Sequence, residues 1–431
     1  MMKLNNEQGQ YAAFIMLMVL SCPLFANQFG GSASVLTGKS DNAFKSNEEK
    51  TDERQDQYQL NFKGDYTNSL LNLDGEYEAT EFRFDKDSQE NEQFLEGNAS
   101  LLVGKSYHPA ELLITHTRKT LLSSPDDLAL KSNEDEREIF SISPTLRTKI
   151  GRRDRVFLTG TATDIRFLKN DKLDSSRKGG TLGWTHGISS IQSLMVNLQK
   201  TDVEFDHFIA ANYTYKSATL LYSAELRHLS YEITLGQNKS ETASGEQFSS
   251  PTYGISVNYT NGFNAISLSS NKIITDSSQG GANANSINGL PNSDGSRSDQ
   301  VDQIERLNSE LQWSTSAVCE KCSLAFSIFQ RDEDYLTLDQ SAKSLGRSAS
   351  LHYRLSSASA LSINTSKSSS TFTGFTLGRD YNIRLSRVEY TYAFINGLGL
   401  KLFAQQEKRT SDVFEQRYRE NYFGGGLDYT F

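Results

Sequence analysis

The chain has 431 residues, with 44 Lys and Arg against 53 Asp and Glu, for a formal net charge of -9. That length exceeds one ordinary soluble core, so two domains or one large closed sheet is expected, and the acidic balance argues against nucleic-acid binding. Phe (24) and Tyr (19) are abundant while Pro (6) is scarce, which suits many strands joined by polar turns rather than helices.

The chain opens Met1-Met2-Lys3 and reaches an apolar run from Tyr11 to Leu20, with a small residue at Ala26. One basic residue, a short apolar core and that alanine read as a secretory signal peptide over residues 1–26, with Leu24 an imperfect residue two before the cut. A second reading takes Val19-Leu20-Ser21-Cys22 as a lipoprotein box with Cys22 acylated, although Pro23 fits that box poorly. Removing residues 1–26 deletes only Lys3 and Glu7 and leaves the charge balance unchanged. Beyond Ala26 no stretch approaches the ~20 apolar residues of a spanning helix. The mean hydropathy of -0.53 does not exclude a membrane, because a barrel strand crosses with ~9–11 residues of which only alternate ones are apolar.

Residues 27–56 form an N-terminal segment holding a candidate first strand over Gln28 to Gly38 and a loop. From residue 57 to 431 one unit recurs: an alternating strand, a tight polar turn, a second strand, then a charged loop. Tyr58, Leu60 and Phe62 alternate with Gln59, Asn61 and Lys63 before the turn Thr67-Asn68-Ser69, and a charged loop follows from Asp85 to Glu92. Tyr253, Ile255, Val257 and Tyr259 lead to Thr260-Asn261-Gly262. Leu351, Tyr353 and Leu355 alternate with His352 and Arg354, and Leu398, Leu400 and Leu402 follow Asn396-Gly397. Short turns alternate with long hydrophilic connections: TLLSSPDDLALKSNEDE, KSETASGEQFSSP, and the stretch from Asn271 to Gln303. That asymmetry predicts an all-β fold, a transmembrane antiparallel up-and-down β-barrel with short periplasmic turns and long extracellular loops. About 22 residues per strand and connection gives roughly 18 strands, within a range of 16 to 20.

A charged side chain facing the bilayer midplane costs about 2–4 kcal/mol, so the basic members of the alternating pairs are expected to line the lumen. The candidates are Arg147, Lys149, Arg166, Arg227, Arg354, Arg384 and Lys401, forming either a track for an anionic sugar or braces with Glu76, Glu225, Glu232, Glu310, Glu389 and Glu407. Tyr58, Phe82, Tyr107, Tyr259, Tyr335, Phe372, Tyr381 and Tyr429 are expected in aromatic girdles.

Cys319-Glu320-Lys321-Cys322 falls where a short periplasmic turn is expected. In an oxidising compartment the pair is expected to form a disulfide clamping the turn, a redox role lacking the helix start that activates a thiolate. Two cysteines with no neighbouring His do not complete a zinc site. His108, His116, His186, His207, His228 and His352 are scattered singly, and no phosphate loop occurs. No catalytic residue, metal or cofactor is therefore expected.

At the C-terminus Leu427, Tyr429 and Phe431 share one face and Asp428 and Thr430 the other, with Gly426 five residues before the end. This resembles the C-terminal signal of bacterial outer-membrane β-barrels. The resemblance implies recognition by the barrel-assembly machinery through Gly426, Tyr429 and Phe431, although Gly424 departs from the polar residue usual there. The length, thin strands and Ser/Thr/Tyr/Arg-rich inner face resemble barrel porins found beside exopolysaccharide-synthesis genes. That resemblance implies a non-enzymatic, integral outer-membrane channel for polysaccharide export, partnered by lipid and by export components. A general or sugar-uptake porin is the second expectation, distinguished by a long loop folded inward, for which Asn271 to Gln303 is the candidate; a structural or adhesive surface barrel is the third.

Overall fold

The computed structural model describes residues 28–104, 108–123, 127–278, 301–374 and 380–431. The expected signal peptide, the alternative acylation at Cys22 and the girdle position Tyr107 lie outside them. Among the described residues twenty antiparallel strands make one sheet, each paired to the next in sequence and the last to the first. Twenty stands at the top of the expected range.

The strands are β1 (Gln28–Ser40), β2 (Glu53–Thr67), β3 (Leu71–Phe84), β4 (Glu92–Val103), β5 (Ala110–Leu122), β6 (Glu134–Ile150) and β7 (Asp154–Phe167). The ring continues through β8 (Ser175–Gly187), β9 (Gln192–Phe205), β10 (Tyr213–Glu225), β11 (Leu229–Thr242), β12 (Gln247–Thr260), β13 (Asn264–Asp276) and β14 (Gln303–Thr315). It ends with β15 (Cys322–Tyr335), β16 (Gln340–Arg354), β17 (Ser359–Thr373), β18 (Tyr381–Ala393), β19 (Leu398–Ser411) and β20 (Tyr418–Thr430).

Connections leaving even-numbered strands are short, as at 68–70, 151–153, 261–263 and 316–321, whereas those leaving odd-numbered strands include 41–52, 123–133 and 277–302. The short rim is periplasmic. At the β18–β19 turn Asn396 and Gly397 both have positive φ, 71° and 79°, the left-handed pair that matches the twist of a tight hairpin. One expected long loop is corrected: KSETASGEQFSSP is mostly strand, because β11 runs to Thr242 and β12 begins at Gln247. Asn271 to Asp276 likewise belongs to β13. Polar composition misled there because these strand ends stand clear of lipid, where neither face must be apolar.

Side-chain alternation divides the wall into two faces. Leu146, Leu158, Leu198, Leu235 and Leu427 point outward and are 50–62% exposed. An apolar surface of this kind around a closed sheet with no free edge is stable in lipid and not in water, and the chain is an integral barrel of the bacterial outer membrane. Trp184, Trp313, Tyr353, Tyr392 and Tyr429 lie on the same outer face toward the short-turn rim, where an interfacial aromatic belt belongs.

Strands of 12 to 17 residues exceed the ~9–11 needed to cross, so the wall projects outward past the bilayer. There the outer face becomes polar and apolar side chains turn inward among buried polar ones. Ile165, Ile304, Ile383 and Leu385 point inward and are at most 4% exposed, while the intervening Arg384 points out. The girdle expectation is corrected for Phe82, Tyr335, Phe372 and Tyr381: all four point inward, Tyr335 and Tyr381 being buried. They form packing beneath the loops rather than an interface belt.

Closure pairs β1 with β20 from Ser32↔Thr430 to Ser40↔Tyr422. Gly31 and Phe431 then exchange both backbone hydrogen bonds, at 3.0 and 2.9 Å.

Candidate functional site

The inner wall is held by short cross-strand polar pairs. Thr145 and Thr159 bond at 2.8 Å, Ser193 and Ser223 at 2.7 Å, and Ser327 and Ser348 at 2.7 Å. Hydroxyl pairs satisfy each other without long side chains, so they leave the lumen wide. Lys63 and Glu76 lie 3.6 Å apart with side chains 62% and 49% exposed, although both face the lumen. The lower lumen is therefore open enough to be hydrated.

The candidate basic residues do not form one track. Arg147 is inward and pairs with Glu111 at 2.8 Å; Lys149 shares its face two residues nearer the rim. Arg354 is inward at the periplasmic end of β16, where its guanidinium donates to the Glu320 carbonyl at 3.3 Å. Lys401 is inward on β19, opposite Gly426. Three positions are corrected. Arg227 lies exposed in the turn between β10 and β11. Arg166 points outward near the extracellular end of β7, bonded to Asp164 at 2.9 Å, to Asp174 at 3.3 Å and to Asp206. Arg384 points outward because its neighbours Ile383 and Leu385 fill the interior. Arg166 and Arg384 both stand in the part of the wall where the outer face is polar.

Inward braces also occur at Arg387–Glu389, 2.7 Å, and at Arg306–Glu333, 2.8 Å, the latter pair 2% and 8% exposed. Cys319 and Cys322 sit in the turn between β14 and β15 with their sulfurs joined and Cα atoms 5.3 Å apart.

The outer half of the lumen is occupied. β13 pairs with β12 only as far as Lys272. Beyond it the top of the β13–β14 hairpin leans inward, burying Ile274, Thr275, Asp276, Ser277 and Ser278. Asp276 receives the Arg177 guanidinium at 2.7 Å, side chains 0% and 8% exposed, and the Tyr213 hydroxyl. Ser278 donates to Asp276 at 2.6 Å, accepts from Arg177 at 2.8 Å and bonds Ser175 at 2.9 Å. A buried ion pair whose carboxylate is also bonded by Tyr213 and Ser278 fixes the position of the hairpin, since removing one partner leaves an uncompensated charge. Just before the return strand, Val301 packs against two inner clusters, Leu121/Ile165/Phe167/Leu173 and Val203/Phe205/Tyr213. Asp302 accepts from the Thr337 hydroxyl at 2.6 Å and from the Thr337 and Leu338 amides at 3.2 Å. Burial pushes the Asp302 carboxyl up, partly offset by these donors and the Gln303 amide.

The mouth narrows from the opposite side as well. Residues 41–46 fold inward: Asn42 and Ala43 are buried, and Lys45 pairs with Glu407 at 3.0 Å and Glu420 at 4.0 Å. Burial pulls the Lys45 ammonium down, but Glu407, Tyr418 and Glu420 outweigh it and hold the group above its usual range. Gln89 bridges the Ala43 carbonyl and the Lys131 amide. Gln416 donates to Asp127 at 3.0 Å, tying the 123–133 connection to β19 and β20.

Among the described residues neither side carries a nucleophile–base arrangement. His116 bonds Glu138 at 2.9 Å and Tyr77, but register places all three on the outer face, away from the aqueous path. The Arg177–Asp276 pair was not visible in sequence, where 99 residues separate its members. A polar Asp-Ser-Ser at the end of a strand is the only local signal.

No protein-family model and no curated protein matches the chain. Among solved structures it is similar to the siderophore receptor PirA from Pseudomonas aeruginosa (12% identity, 94% of this chain and 80% of that chain, TM-score 0.41). It is also similar to the outer membrane protein OpdK from Pseudomonas aeruginosa (11%, 94% and 100%, 0.38) and to the FrpB iron transporter from Neisseria meningitidis (8%, 94% and 82%, 0.46). These values transfer no function.

Proposed function

We propose that the chain is a non-enzymatic channel for small hydrophilic solutes, with passage controlled at the outer constriction. The observation that carries this reading is the inward lean of the β13–β14 hairpin, held by Arg177, Tyr213 and Ser175. A loop element held inside a barrel leaves a narrow hydrated gap whose charged lining selects solutes by size and sign. The exposed charges on the inner wall include both signs, Lys63 against Glu76, which favours polar or zwitterionic solutes over a strong preference for one charge.

Export of an extracellular polysaccharide uses the same hydroxyl-rich wall but needs the hairpin and the 41–46 segment to move aside for a chain. Single-channel recording in planar bilayers tests the proposal. A steady small conductance in the unmodified barrel supports diffusion of small solutes. A barrel closed to ions, together with loss of surface polysaccharide on gene deletion, would overturn it in favour of export. The C-terminal Gly426, Tyr429 and Phe431 are proposed as the contact with the assembly machinery, and the Cys319–Cys322 pair as a clamp on its turn.

A further inference from the structure

One outer-face row departs from the rest of the wall. Arg347 on β16 is the register partner of Lys367 on β17, Lys367 of Arg384 on β18, Arg384 of Lys408 on β19, and Lys408 of Arg419 on β20. All five are exposed and share the face of Leu345, Ile363, Val388, Leu402 and Leu427. Like charges directly opposite one another across strands are destabilising, and this row places five in succession. None of the five makes a side-chain hydrogen bond or ion pair to another described residue. The row above, Leu345, Ser369, Asn382 and Thr410, has no carboxylate, and neither has the row below, from Ala349 to Asn421.

Elsewhere on the outer face the chain does neutralise such a row. Lys200, Lys216 and Lys239 are register partners on β9, β10 and β11, and there Asp202 and Glu241 stand 3.6 and 3.9 Å from Lys200 and Lys216. The missing counter-charge on β16–β20 is thus a local property.

Its height supplies the partner. Arg347 stands seven residues from the short-turn end of β16 at Arg354, and Arg419 eleven from the end of β20 at Thr430. At ~3.3 Å per residue and ~40° tilt the row climbs from roughly 18 to 28 Å above the periplasmic rim. An apolar band ~25 Å tall ends in that interval. Below the row lie Leu351, Ile363, Val388, Ala404 and Phe423, again in register, so the face passes within two rows from acyl-chain chemistry to cations.

We propose that β16–β20 present a binding surface for a phosphate-bearing lipid of the outer leaflet, its phosphates bridging the five cations and its acyl chains lying on the apolar rows beneath. Each basic side chain near an anionic headgroup contributes about 1 kcal/mol, roughly five-fold in affinity. Anionic lipid removes the repulsion that the bare barrel must tolerate.

The test uses the full barrel in non-ionic detergent with bisphosphorylated lipid A, its dephosphorylated form, or inorganic phosphate as probes. Lipid retention is read by native mass spectrometry and stability by the temperature at which the heat-modifiable gel band is lost. The variants neutralise Arg347, Lys367, Arg384, Lys408 and Arg419 together to Gln, or Lys200, Lys216 and Lys239 to Gln as a control. The wild type and control are expected to retain lipid A and gain stability from it; the five-fold variant should bind at least about a hundred-fold more weakly. Without lipid the five-fold variant should be the more stable barrel, which a merely structural role for these residues would not produce. Equal retention by the five-fold variant, equal retention of dephosphorylated lipid A, or equal stabilisation by inorganic phosphate would each overturn the proposal.

Discussion

The Phe431 ring lies edge-on to Phe62 with centroids 6.3 Å apart, and it does so across Gly31, where a Cβ would come within 2.6 Å of the ring. Phe431 belongs to the last strand's end, Gly31 to β1 and Phe62 to β2, so one side chain spans the closing seam. Tyr429 stacks on it at 6.2 Å. Deleting Phe431, or replacing Gly31 with Val, is expected to lower the fraction of barrel that assembles, measured as the heat-modifiable band in outer-membrane fractions. Barrels that do insert should conduct like the wild type. Unimpaired assembly of both variants would contradict the role of this contact.

Arg177→Ala and Asp276→Ala should each free the β13–β14 hairpin, because one buried charge is left unpaired at a cost of about 3–5 kcal/mol. Larger or noisier single-channel conductance is the expected readout. The double variant should lose less than the sum of the two, since the pair shares one interaction. Unchanged conductance in all three would separate this pair from the channel.

Mild acid, at and just above the ordinary carboxylate range, should favour the closed mouth. The Asp302 carboxyl is raised from its ordinary 3.8 by burial when the hairpin is docked, so the docked form holds its proton more tightly. The Asp302 contribution to docking is therefore complete below the ordinary value and is lost as pH rises through the raised one. Conductance is expected to increase with pH over that window, and Asp302→Asn should flatten the dependence at the low-conductance end.

The Cys319–Cys322 bond closes a loop only a few residues long. The chain-entropy relation gives such a bridge about 2 kcal/mol at most. Cys319→Ser with Cys322→Ser should therefore lower the melting temperature of the barrel slightly and leave conductance alone; a change in transport would assign the pair more than a clamp.

The sequence made the hairpin array and the outward Leu series legible because lipid imposes one rule on every spanning strand. Where the wall leaves the bilayer that rule lapses. Arg384 was expected to face the lumen as a cation that lipid excludes, yet Ile383 and Leu385 claim the interior and turn it outward. Phe82 and Tyr335 changed sides for the same reason. The constriction was hidden for another: Arg177, Tyr213 and Asp276 come from β8, β10 and β13, and only a closed ring brings them together. The loop region itself could be anticipated, from the length of the connection that holds it.

Pairing of β1 with β20 joins the first and last strands of the ring. The segment that follows β1 reaches back across this joint at the outer mouth, because Lys45 lies just beyond β1 while its partners Glu407 and Glu420 lie on β19 and β20. Those ion pairs therefore hold the two sides of the seam together from above. The lid over the mouth thus doubles as a latch on the last joint of the wall.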